Sequence, residues 1–152
     1  MRIMFHPEHL RRIAAIARLA YPNEACGLFV GRDWSDARLV EMENLQDRYH
    51  ERDPVRFPRT ARTAYAMHPL RLGEAVESGG GLLCIWHSHC DVGAYFSDED
   101  ARVALGGGDE PLWPGTDYLV VSCRASGVDA LELFQWNAAS RLFEGSAWPL
   151  PV

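Results

Sequence analysis

Lysine is missing from this chain of 152 residues: all 15 of its Lys+Arg positions are arginine. A GC-rich genome favouring arginine codons accounts for that, since surface charge needs only a cation; a protein working beside a lysine-conjugating system would gain protection from modification in the same way. Long apolar runs are missing too, with no stretch near the roughly 18 unbroken residues of a membrane span. Arg11, Arg12 and Arg18 interrupt the N-terminal apolar residues, so no secretory signal is expected and a cytoplasmic address follows. The four cysteines, Cys26, Cys84, Cys90 and Cys123, lack any C-x-x-C spacing, which predicts small buried hydrophobes rather than a disulfide framework. An excess of positive charge is absent, and a net charge of -6 speaks against a nucleic-acid partner. Without repeats, low-complexity tracts or a linker, residues 1–152 read as one domain with a single core.

What is present alternates between helix and strand patterns. From His6 to Ala20, Leu10, Ile13, Ala14, Ala17 and Ala20 recur at helical spacing, with Pro7 suited to the first turn and Pro22 beyond the end. ACGLFVG and ARLVEMEN flank RDWSD as an antiparallel hairpin. Leu45 to Pro58 reads as a long polar loop of the functional sort, RTAYAM as a short strand, and HPLRLGEAVESGGG as a helix stopped by its glycines. LLCIWHSH is then a buried strand, SDEDARVALGGG a short helix, and DYLVVSC, ALELFQW and SRLFE closing strands. The fold class is α/β: a mixed, mostly antiparallel sheet flanked by helices.

Chemistry concentrates in WHSHCDVGAYFSDED. His87 and His89 stand two apart at the end of an extended run, so both imidazoles point to one face. Asp100 follows in the first turn of the next helix, three residues after Ser97. Two histidines and one aspartate supply three ligands and leave a fourth tetrahedral position for water, as in a catalytic zinc site. Zinc would lower that water's pKa toward about 7. Taken singly, each half has a plain structural reading: Ser-x-x-Asp is a capping box, and His-x-His is common.

Jointly, His-x-His, seven residues, Ser, two residues, Asp is the JAMM signature, met at His87, His89, Ser97 and Asp100. The chain therefore resembles the JAMM (MPN-plus) metalloproteases. The resemblance extends to Glu24 in YPNEACGLFVG, and DRYH, YLVVSC and LFQW look like the compact prokaryotic branch related to sulfur-carrier peptidases. It implies an MPN/JAB domain of cytidine-deaminase-like fold, one catalytic Zn2+ on His87, His89 and Asp100, Glu24 as general acid/base, and Ser97 donating to the oxyanion. Two positions depart from the family pattern: Phe96 replaces a frequent proline, and Cys90 stands where proline or threonine is common.

Cys90 reads as a loop residue pointing away, or as a fourth ligand or redox brake. Asp91, Asp98 and Glu99 read as a solvated acidic rim, and His6, His9, His50 and His68 as surface or structural residues. Trp86 reads as core. Arg48, Arg52 and Arg56 form a solvated face, or lie near a substrate carboxylate.

The function the resemblance implies is a zinc peptidase or isopeptidase acting after the C-terminal Gly-Gly of a prokaryotic sulfur-carrier or ubiquitin-like protein, with no membrane partner. A non-catalytic scaffold of the same fold is the alternative, although it would ordinarily have lost one of the five motif residues. A zinc nucleobase deaminase lacks its H-x-E and P-C-x-x-C signature here.

Overall fold

A computed structural model describes residues 5–151. Helix α1 (Pro7–Ala20) opens with Pro7 in its first turn and buries Leu10, Ile13 and Ala17 as one stripe. Strands β1 (Cys26–Val30) and β2 (Arg38–Met42) form the expected hairpin, their turn holding a single 3-10 turn at Trp34–Asp36. After α2 (Gln46–Arg52) and α3 (Pro69–Gly79) the chain enters the central strand β3 (Leu82–Cys90). Helix α4 (Asp98–Ala104) precedes β4 (Asp117–Arg124), β5 (Gly127–Asn137) and β6 (Leu142–Trp148).

The six strands make one sheet in the order β2-β1-β3-β4-β5-β6. Only β3 and β4 pair in parallel; every other pairing is antiparallel. The mixed sheet flanked by four helices is the architecture expected from the sequence.

Alternation along the strands sorts the core into two layers. One unites Ile13 and Ala17 of α1 with Phe29, Cys84, Trp86, Leu119 and Val121. The other unites Leu28, Ile85, Tyr118, Val120 and Phe134 with Ala104 and with Leu72 and Val76 of α3. Full burial of an aliphatic side chain such as Ile13 contributes about 1.5–3 kcal/mol. No helix among the described residues is long and apolar enough to cross a membrane.

Two local expectations are corrected. The stretch from Leu45 to Pro58 is not all loop, because Gln46–Arg52 forms α2. That helix buries only Gln46, so it has no apolar stripe to betray it. RTAYAM is not a strand: the Asn44 side chain donates from Nδ2 to the Ala64 carbonyl (3.1 Å) and accepts at Oδ1 from the Ala66 N–H (3.1 Å), and the Leu45 N–H donates to the Ala66 carbonyl (2.8 Å). A side chain thus takes the place of a neighbouring strand.

Candidate metal centre

On the face of β3 that carries Ile85, the next two side chains are His87 and His89, both buried. Trp86, Ser88 and Cys90 take the α1 face by the same alternation. Register ties this strand end to β1: Cys26 lies opposite His87, the Ser88 N–H donates to the Ala25 carbonyl (2.9 Å), and the Ala25 N–H donates to Ser88 Oγ (2.8 Å). Glu24 lies two residues before Cys26, buried and near enough to Asp100 for that carboxylate's charge to act on it. Glu24 is held at both backbone groups, its N–H donating to the Ala61 carbonyl (2.7 Å) and its own carbonyl accepting from Asn44 Nδ2 (2.9 Å).

Asp100 arrives from the connection between β3 and β4. Ser97 is the N-cap of α4: its Oγ accepts the Asp100 N–H (3.0 Å), and its N–H donates to Asp100 Oδ2 (3.0 Å). The reciprocal pair fixes the helix start and the carboxylate together. Ser97 Oγ acts there as an acceptor, which leaves its own proton free to donate elsewhere. The structural and the chemical readings of Ser-x-x-Asp are therefore compatible.

His87, His89 and Asp100 are the three buried residues whose ligand atoms gather within 4.8 Å of one another. His89 Nε2 lies 3.1 Å from Asp100 Oδ2, and His87 Nε2 lies 3.2 Å from Asp100 Oδ1. Ligand atoms around a tetrahedral Zn2+ with bonds of about 2.0–2.1 Å stand about 3.3 Å apart, so these separations suit such an ion. Direction agrees with distance. His87 is fully buried, yet neither ring nitrogen has a hydrogen-bond partner, because its Nε2 approaches Asp100 without aiming at it. His89 Nδ1 donates to the Gly93 carbonyl (3.0 Å), an acceptor only, which leaves the Nε2 lone pair for a cation. The donor set fits a divalent metal.

Burial alone would raise the Asp100 carboxyl, but the adjacent His87 imidazole, the hydrogen bond with His89 and the Ser97 N–H outweigh it and hold the group well below the usual carboxylate range. Glu24 goes the other way. Burial first, and then the negative charge of Asp100, push it up to about 9 against the opposing charge of Arg59. Two carboxyl groups in one pocket thus have opposite proton affinities, the arrangement by which a site separates ligand from proton carrier. Cys90 lies outside the ligand grouping, on the α1 face, and burial pushes its thiol up to about 12. It is the residue pointing away, and all four cysteines are free.

Sequence reasoning missed two aromatic rings and one amide. Tyr65 stacks on His87 with centroids 4.5 Å apart and planes at 25°, and Tyr95 meets the edge of His89 at 4.9 Å. Asn44 completes a four-bond hub by accepting the Gln46 N–H (3.0 Å), so that it joins Glu24, the 64–66 backbone and α2. Only the Asx-turn spacing of Asn44 and Gln46 was visible in advance. A cleft of about 880 Å³ is lined by the 55–73 stretch and by Glu99, Asp100, Arg102, Leu112 and Trp113.

The remaining candidates fall elsewhere. Asp91 accepts from the Tyr21 hydroxyl, Glu99 pairs with Arg102, Arg48 pairs with Glu43, and His50 Nδ1 meets the Phe57 carbonyl. Trp86 is core. Phe96 packs among Tyr118, Phe134 and Phe143 at 5.0–5.3 Å, so it anchors the connection to the sheet and does not line the cleft.

The family model of the prokaryotic homologs of the JAB domain matches residues 6–137. No curated protein matches the chain. Among solved structures, a protein from Desulfitobacterium hafniense is similar with a TM-score of 0.62 at 23% identity, over 93% of this chain and 86% of that one. A protein from Salinibacter ruber is similar with a TM-score of 0.59 at 21% identity, over 99% and 90%. At such identities the two structures speak for the fold.

Proposed function

The chain belongs to the prokaryotic JAB-domain family, and from that premise we propose that it is a zinc-dependent peptidase or isopeptidase, residues 1–152 acting as one domain. Its bond of choice follows the C-terminal Gly-Gly of a sulfur-carrier or ubiquitin-like protein. The observation that carries this reading is the meeting of His87, His89 and Asp100, with His87 unsatisfied, near a buried Glu24, Asp100 also lining an open cleft.

The two imidazoles and Asp100 would hold a zinc ion, which would supply Lewis acidity toward a water nucleophile and the scissile carbonyl. Glu24 moves the proton. In its ionised form it takes the proton of the attacking water, and burial, which favours the neutral carboxyl, suits it to hold that proton until the leaving nitrogen takes it. The Ser97 hydroxyl donates to the carbonyl oxygen as negative charge develops, a contribution of about 3 kcal/mol when such a donor is well placed. Asn44 fixes the reach of Glu24 through the backbone. An extended tail ending in two glycines suits the cleft, since residues without a Cβ let the scissile carbonyl come close to the buried ligands.

The test is intact-mass analysis of a Gly-Gly carrier protein bearing extra C-terminal residues, incubated with the zinc-loaded enzyme, with chelator, and with Glu24→Ala. Loss of the mass beyond Gly-Gly is expected for the loaded enzyme alone. Full cleavage by Glu24→Ala would sink the mechanism; bound zinc without cleavage of any Gly-Gly extension or lysine-linked conjugate would favour the scaffold alternative.

A further inference from the structure

Charge is distributed unevenly around the cleft. The chain carries a net charge of -6, yet from Pro54 to Gly73 there are four arginines, Arg56, Arg59, Arg62 and Arg71, and no Asp or Glu. This stretch builds one wall, including Val55, Arg56, Phe57, Arg59, Tyr65 and Leu72. On the opposite wall the one cation, Arg102, is already neutralised by Glu99 at 2.7 and 3.0 Å.

Arg56 and Arg59 are different. The Arg56 guanidinium sits over the Phe57 ring at 5.4 Å, and Arg59 gives one N–H to the Thr63 carbonyl (3.2 Å). Among the described residues neither forms an ion pair with a carboxylate. Beside them Val55 is 90% exposed, and across the cleft Leu112 is 59% exposed, so apolar surface open to solvent faces both arginines. Two planar forks with donors to spare, set along a half-apolar cleft that Asp100 also lines, match a carboxylate on a chain that also carries an apolar residue.

We propose that Arg56 and Arg59 clamp a substrate carboxylate close to the scissile bond and thereby set substrate specificity. The proposal rests on the peptidase reading above and names the substrate class: an anionic one. The carboxylate has two sources, the free α-carboxylate of a single amino acid released from the carrier, or an Asp or Glu side chain in the tail before Gly-Gly.

Three fluorescent peptides ending in Gly-Gly-Ala separate these sources: a neutral one closed by a carboxamide, the same with a free C-terminal carboxylate, and the carboxamide form with Glu two residues before Gly-Gly. Binding is read by anisotropy on zinc-loaded Glu24→Gln, with and without Arg56→Gln and Arg59→Gln, and hydrolysis is read on the enzyme carrying Glu24. One charged peptide should bind about ten-fold tighter than the neutral one, and the two arginine substitutions should erase the difference while leaving the neutral peptide unchanged. Whichever charged peptide gains identifies the source. Equal affinity for all three, or a preference surviving both substitutions, overturns the clamp even if all are hydrolysed. A preference erased by the substitutions, with no peptide hydrolysed, keeps the anion site and overturns the peptidase reading instead.

Discussion

Adjacent residues of β3 serve opposite sides of the molecule: Trp86 is sealed against α1, while Ile85, His87 and His89 look toward α3, α4 and the cleft. The first side is covered by one continuous amphipathic helix, and its buried residues are almost all apolar. The second is covered in pieces, by two shorter helices and an irregular stretch, and it buries Glu24, His87, His89 and Asp100. Stability is concentrated where cover is continuous. Among the described residues, unpartnered buried nitrogens occur on both sides, Trp86 Nε1 and His9 Nδ1 on the first and both ring nitrogens of His87 on the second, but only those of His87 stand beside a buried carboxylate where a cation can satisfy them.

The comparison breaks most sharply at the metal ligands. His87→Ala should abolish bound zinc and hydrolysis together, a rate loss above about 10⁴-fold, while circular dichroism stays that of the folded protein. Unchanged zinc content by elemental analysis would remove His87 from the ligand set. On the other face Ile13→Ala should do the reverse, costing about 2–5 kcal/mol in denaturant unfolding while the folded fraction keeps its zinc affinity.

Tyr65 sharpens the contrast within the second face. His89 is oriented by a hydrogen bond to Gly93, whereas His87 has no hydrogen-bond partner and is stacked on the Tyr65 ring. Tyr65→Ala should therefore weaken zinc binding about 10–100-fold in chelator competition, and Tyr65→Phe should keep it. Equal affinity in all three proteins would show that the stack orients nothing.

The smallest effect belongs to Asp117, which begins β4 opposite Cys84. Burial pushes its carboxyl up from 3.8 to about 6, and the Gln135 amide donor at 3.4 Å offsets this only in part. The folded state then holds the proton more tightly than the unfolded chain, so stability is lost as pH rises from about 4 to about 6. Asp117→Asn should be more stable than the parent at pH 7 by roughly 1 kcal/mol after solvent screening is allowed for, with the gap closing below pH 4. A gap that stays constant between pH 4 and 7 would contradict the assignment.

The second face was legible in sequence where its chemistry is local. His87 and His89 share a face because strands alternate, and Ser97 and Asp100 share a helix turn, so spacing alone announced them. Glu24 needed the family resemblance, since its nearness to Asp100 depends on the pairing of β1 with β3. Asn44 and Tyr65 were illegible. Asn44 acts through backbone groups 20 and 22 positions away, and Tyr65 reaches His87 from a stretch that imitates a strand in composition while bonding to a side chain. Helix α2 escaped because polar residues cover nearly all of it.

The lone parallel pairing, β3 with β4, decides how one wall of the cleft is carried. Parallel neighbours cannot be joined by a tight turn, so the chain must travel the length of the sheet before starting β4. That compulsory detour bears Ser97 and Asp100 at its start and Leu112 and Trp113 farther on. Its beginning is tied down by the Ser97 cap and its end by the Thr116 hydroxyl donating to the Leu82 carbonyl (3.0 Å). Between those moorings, Gly106 and Gly107 take positive φ in a surface turn. Within that span the Leu112 N–H donates to the Ala104 carbonyl (2.9 Å) and Arg141 pairs with Glu110 (3.0 Å), so one wall of the cleft is carried by a segment that follows Asp100 in the chain and is held by bonds separate from those that hold that ligand.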